Sequence, residues 1–149
     1  METWLEDYPH LELLPSDQLF PTGLFPLKQP PKQLYLIGEQ AALQAPALAV
    51  IGAREATPYG LQAAERCAEL AVKRGFAIVS GGARGCDQAG YKGALKSGGT
   101  CIVVLAGGAD CIYPRRAASL FKTILEAGGL LLSEQPWGFS PPPWAFRLR

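Results

Sequence analysis

The feature that most constrains this chain is a strand that runs into a glycine loop, and the unit recurs. Leu48-Ala49-Val50-Ile51 leads into Gly52-Ala53-Arg54, and Phe76-Ala77-Ile78-Val79 leads into Ser80-Gly81-Gly82-Ala83-Arg84-Gly85. Cys101 to Leu105 then enters Gly107-Gly108-Ala109-Asp110, and Leu130-Leu131-Leu132 ends at Ser133-Glu134. The runs are apolar at consecutive positions, as strands buried on both faces are. Between them lie stretches with helical signals: Thr57-Pro58 offers an N-cap with proline at the first helical position, and Lys73-Arg74-Gly75 a basic last turn with a glycine stop. Helices are expected over about 58–75, 87–96 and 115–127. Strand–helix repeats of this length specify an α/β fold with a doubly wound, mainly parallel sheet. In such sheets ligands bind beyond the carboxyl ends of the strands, where the glycine loops lie.

That location matters because small residues let backbone N–H groups approach an anion, and the following helix adds the positive end of its dipole. The first two loops each add a guanidinium suited to phosphate oxygens. The candidate phosphate-binding residues are Gly52 and Arg54 in the first loop, Ser80, Gly81, Gly82, Arg84 and Gly85 in the second, and Gly107 and Gly108 in the third. Each has a plainer alternative. Arg54 also reads as a surface arginine paired with Glu55, and Arg84 as a solvated one. Asp87 opens the second helix, either as a cap or as a partner of an arginine, ribose or base. Tyr113 offers a stacking face or packs beneath its loop. The tail interleaves Trp137, Phe139, Trp144 and Phe146 with Arg147 and Arg149, a composition suited to single-stranded nucleic acid and equally to packing.

Several classes are poorly supported. The glycine spacing is not the dinucleotide fingerprint, and no Gly-Lys-Ser/Thr phosphate loop occurs. Four cysteines without a Cys-x-x-Cys pair, and His10 as the single histidine, give little basis for a zinc or redox site; no metal or cofactor is expected. Cys67 and Cys101 are expected to pack as small apolar groups, while Cys86 and Cys111 fall at loop ends. No apolar run reaches the ~18 residues of a membrane span, and Met1 to Leu14 has four acidic side chains and no Lys or Arg, unlike a signal peptide. The expected compartment is the cytoplasm. Without a histidine at the loops, binding is favoured over catalysis.

The net charge of +1 hides an asymmetry: residues 1–48 carry two Lys against six Asp or Glu, and residues 49–149 carry twelve basic against seven acidic side chains. The glycine-loop region is therefore the basic part. Residues 1–33, with Pro15, Pro21, Pro26, Pro30 and Pro31, read as an acidic leader and proline-rich linker or wrap, and residues 34–149 as one domain.

Taken in order, four motifs carry a resemblance: Ala49 to Arg54 with Thr57-Pro58-Tyr59-Gly60; Val79 to Asp87 with Gly93-Ala94-Leu95; Val104 to Asp110 with Tyr113-Pro114; and Leu132 to Gly138. Together they resemble the DNA-processing protein A family (DprA, also called Smf) over about residues 30–149. The resemblance implies an extended Rossmann-like, three-layer α/β/α domain that binds single-stranded DNA and passes it to the RecA recombinase during natural transformation, commonly as a homodimer. It implies that Arg54 holds phosphate, that Ser80 to Gly85 form the phosphate loop, and that Phe146-Arg147-Leu148-Arg149 correspond to the start of the family's Phe-Pro-x-Arg-Asn-Arg segment. Departures are Tyr91 in place of a histidine, Cys86 in place of an aliphatic residue and Arg147 in place of a proline. Relative to the family, the domain is expected to lack its later strands, a winged-helix module and an N-terminal helical domain. The rival reading is a nucleotide-phosphate enzyme or sensor of the lysine-decarboxylase-like phosphoribohydrolase group, whose Pro-Gly-Gly-x-Gly-Thr motif is not present.

Overall fold

The structure is a computed structural model that describes residues 2–147. Six strands form one mixed sheet: β1 (His10–Leu13), β2 (Leu34–Gly38), β3 (Ala47–Ala49), β4 (Ala77–Ser80), β5 (Cys101–Val104) and β6 (Leu130–Ser133). Three helices follow the parallel strands: α1 (Pro58–Val72), α2 (Cys86–Lys96) and α3 (Ala118–Glu126). The spatial order is β1-β2-β6-β5-β4-β3. Strands β3 to β6 run parallel, while β2 pairs antiparallel with both β6 and β1. None of the helices is long and apolar enough to cross a membrane.

The α/β, Rossmann-like class expected from the sequence is the class observed, and the layering refines it. Each step from β3 to β4 to β5 to β6 moves one place in the same direction. A right-handed crossover repeated in one direction returns every helix to the same face. Ile78, Cys101, Val103 and Leu131 meet Ala68, Ala94, Phe121 and Ile124 from all three helices in one core. Their sheet neighbours Ala77, Ile102, Leu130, Leu34 and Leu36 face the opposite side and pack with Phe20 and Ala42. Among the described residues, that second layer is irregular chain and short 3-10 turns, not a second set of α-helices.

Phe20 belongs to the stretch 1–33 expected as leader and linker. That expectation is corrected in part: His10–Leu13 forms an edge strand in register with Leu34–Ile37, and the proline-rich chain beyond it wraps the sheet and buries Phe20. Five residues between Pro9 and Pro15 are too short to show a period, so pairing with β2 decides the conformation. The opposite edge also differs. The strand expected at Leu48–Ile51 is Ala47–Ala49, extended by a bond from Val50 N to Val79 O. Only β4 covers it, so Leu48 is exposed at 41% and Ile51 at 76%.

The helix signals act as their chemistry dictates. Thr57 Oγ1 accepts from Gly60 N at 3.1 Å, Pro58 begins α1, and Gly75 follows it with φ +82°. The third helix is preceded by a 3-10 turn at Arg115–Ala117.

Candidate nucleic-acid interface

The loops after β3 and β4 are joined to each other. Cys86 N donates to Ala53 O at 3.2 Å. Gly85 has φ +90°, and a Cβ there would lie 2.2 Å from Ala53 O and 2.6 Å from Arg54 O. Only glycine permits both that dihedral and that approach. Gly52 packs as closely on Cys86. The close packing brings two guanidiniums, separated by thirty positions in sequence, to one place at the carboxyl ends of the strands.

Arg54 and Arg84 both line a small cleft of about 150 Å³ with Gly81, Tyr113, Arg116 and Phe146. They also line a broader groove of about 600 Å³ that runs between α1 and α2 to Gln88 and Lys92. Arg54 is exposed and makes no ion pair among the described residues. Arg84 donates to Glu55 at 2.7 Å, with Glu55 83% exposed. A pair so open to water is weak and readily exchanged. The Tyr113 and Phe146 rings lie 5.0 Å apart at 51° and form the aromatic side of the cleft. Tyr113 is 52% exposed and presents a ring to solvent.

Ser80 and Asp87, which line a groove of about 350 Å³ with Gly52, Arg54 and Gly81, also build the loops. Ser80 is buried, and its hydroxyl donates to Val50 O at 2.6 Å, tying β4 to the edge strand. Asp87 is also buried and accepts from Ala83 N at 3.2 Å, which holds the second loop against the first turn of α2. Neither of the arginines pairs with it; the ion pair of Arg84 is with Glu55. Beneath both loops, the fully buried Tyr91 donates to Ser80 O at 2.6 Å and sits 3.0 Å from Ile102 O. Gly82 is buried, while Gly81 remains half-exposed at the cleft.

The third loop is closed by the tail, which corrects its assignment to phosphate. Gly108 N donates to Phe139 O at 2.9 Å, and a Cβ at Gly108 would lie 2.6 Å from Pro136 O. The Ser133 hydroxyl donates to Gly107 O at 2.6 Å. The Asp110 carboxylate accepts Gly138 N through both oxygens, at 2.9 and 3.0 Å. The glycines of this loop admit the tail's backbone, and the Gly108 N–H is spent on Phe139 O. The tail is latched in turn: Trp137 Nε1 donates to Glu12 at 2.7 Å, and its ring lies 5.2 Å from Tyr35 and 5.4 Å from His10. Trp137 is therefore a packing residue, Phe146 lines the arginine cleft, and Trp144 stays 55% exposed. Arg149 lies outside the described residues.

The cysteines separate differently from expectation. Cys101 is buried, and burial pushes its thiol up to about 12, so it is inert at neutral pH. Cys67, expected to pack, is exposed, and Cys86 is buried beneath Gly52.

Residues 12–149 match the family of DNA recombination-mediator protein A. The protein Smf of Escherichia coli K12 is 39% identical over 147 residues, covering 98% of this chain. The chain belongs to the DNA recombination-mediator protein A family. The DNA processing protein DprA of Bacillus subtilis 168 is 32% identical over 135 residues. The crystal structure of DprA from Streptococcus pneumoniae superposes with a TM-score of 0.83 at 29% identity, over 98% of this chain and 50% of that one. The DprA structure from Helicobacter pylori, which describes that protein's single-stranded DNA binding mode, gives a TM-score of 0.78 at 35% identity, over 93% of this chain and 60% of that one. The chain spans 39% of the Escherichia coli protein and 45% of the Bacillus subtilis one.

In this DprA-family chain the fold adds cations to the two arginines singled out from glycine spacing. Arg116 and Lys92 reach the same clefts from the middle of the 3-10 turn before α3 and from α2. The Tyr113-Pro114-Arg115-Arg116 run marked the neighbourhood of Arg116, but no signal in the sequence linked either cation to Arg54.

Proposed function

We propose that this DNA-processing family chain binds single-stranded DNA at the cleft beyond β3 and β4, by electrostatics and stacking and without a catalytic step. The observation that carries the reading is the pair Arg54 and Arg84, set side by side by Gly85 and facing the Tyr113–Phe146 rings. Arg54, Arg84 and Arg116 offer forked donors to phosphate oxygens, and exposed backbone around Gly52 and Gly81 adds room for close approach. The ring of Tyr113 supplies a face for a base; base–aromatic stacking tolerates any sequence. A single strand fits better than a duplex, because its bases are available for stacking beside their own phosphates. By family resemblance the reading extends to delivery of the strand to the RecA recombinase in the cytoplasm during natural transformation, and to a homodimer.

The test is fluorescence anisotropy of a labelled oligo-dT strand and its duplex at two salt concentrations. Preference for the single strand, with affinity falling as salt rises, is the expected result. Equal binding of strand and duplex, or no response to Arg54→Ala, overturns the assignment.

A further inference from the structure

The 3-10 turn Pro143–Arg147 divides its aromatic side chains between two clefts. Phe146 lines the arginine cleft, and Trp144 lines a separate cleft of about 270 Å³ at the carboxyl ends of β5 and β6. Ala145 between them is buried and its N–H donates to Pro142 O at 3.0 Å, so the turn is anchored and the two rings are held two residues apart. Against Trp144 the second cleft presents Leu105, Leu27, Glu134 and Gln135. Among the described residues no Lys or Arg lines it, and the Glu134 carboxyl would repel a phosphate. Its chemistry is that of a flat, uncharged group: an exposed indole face, aliphatic walls, the amides of Gln29 and Gln135, and one carboxyl, with both donors and acceptors. Trp144 is 55% exposed, whereas Trp137 in the same tail is held by Glu12, Tyr35 and His10.

We propose that this cleft is a nucleobase subsite, with Trp144 as its stacking face and Glu134 and Gln135 as its hydrogen-bonding edge. The inference rests on the single-stranded DNA reading and extends it. A strand whose phosphates lie on Arg54 and Arg84 has one base at Tyr113 and Phe146, and a neighbouring base reaches Trp144 across the short turn. The edge favours bases with an exocyclic amine. An acidic side chain accepts from the cytosine amine and an amide side chain pairs with adenine, while thymine offers no amine to either. Burial raises the pKa of the Glu134 carboxyl, the mark of a group partly withdrawn from water at the cleft.

The experiment measures affinity of the full chain for labelled oligo-dC, oligo-dT and an abasic strand of equal length. Four variants accompany the wild type: Trp144→Ala, Trp144→Phe, Glu134→Gln and Arg54→Ala. Wild type is expected to bind oligo-dC about tenfold more tightly than the abasic strand. Trp144→Ala reduces that ratio several-fold without changing abasic affinity, Trp144→Phe restores most of it, and Glu134→Gln brings oligo-dC and oligo-dT together. A wild-type base-to-abasic ratio in Trp144→Ala overturns the subsite while leaving the DNA reading intact, provided Arg54→Ala weakens all three probes. If wild type binds none of the strands at low salt, the DNA reading fails on its own. The subsite is then decided by quenching of tryptophan fluorescence with free cytidine. Quenching present in wild type and absent in Trp144→Phe supports it, and no quenching overturns it.

Discussion

The loops after β3 and β4 and the loop after β5 lie at the same end of the sheet, all contain glycine, and serve opposite purposes. In the first pair, Gly85 receives the backbone of Ala53 and Arg54, and the outcome is two arginines turned to solvent. In the third, Gly108 receives Pro136, and its N–H and the Asp110 carboxylate bind the tail. A glycine at a strand end thus signals that something approaches closely. What approaches depends on chain that is remote in sequence: the neighbouring loop in one case, residues 136–141 in the other.

Mutations that break each arrangement should part stability from binding. The largest effect is expected for Gly85→Val, which forces a β-branched side chain into φ +90° and against Ala53 O. It should cost about 3 kcal/mol or more of folding stability in urea unfolding and separate the two arginines. Asp110→Ala should cost about 1–3 kcal/mol by leaving Gly138 N–H without its acceptor, with strand affinity of the folded protein unchanged. An equal loss of affinity in that variant would show that the third loop takes part in binding. Arg54→Ala should leave unfolding within about 0.5 kcal/mol of wild type, as surface changes do. Its expected effects are strand affinity lowered about tenfold at every base composition and a salt slope shallower by about 0.7. The smallest change is expected for Glu55→Gln. Removing the carboxylate that occupies Arg84 should raise strand affinity about two- to fivefold at low salt and by less at high salt. Weaker binding in that variant would assign Glu55 to the interface itself.

The parts that were legible in the sequence rest on local rules. Apolar runs ending in glycine loops located β4 and β5, the run ending at Ser133-Glu134 located β6, and Thr57-Pro58 and Gly75 bounded α1, because caps and stops depend on residues a few positions apart. Arg54 and Arg84 were singled out for the same reason. What was missed depended on pairing at a distance. His10–Leu13 is a strand only because β2 lies beside it, and Phe20 is buried only because the second face of the sheet needs cover. Ser80 and Asp87 line a groove with Arg54, and only the fold shows that their side chains also serve Val50 O and Ala83 N.

The sequence by itself therefore determined the alternation of strand and helix, the end of the sheet at which loops gather, and the basic character of that end, since each follows from periodicity, turn chemistry and charge within short windows. Only the tertiary structure decided which loops stay open. That choice depends on where residues 136–147 return across the sheet, closing the third loop with backbone hydrogen bonds and leaving Arg54 and Arg84 beside the aromatic pair. Such contacts join positions tens of residues apart, and no local pattern of side chains encodes them.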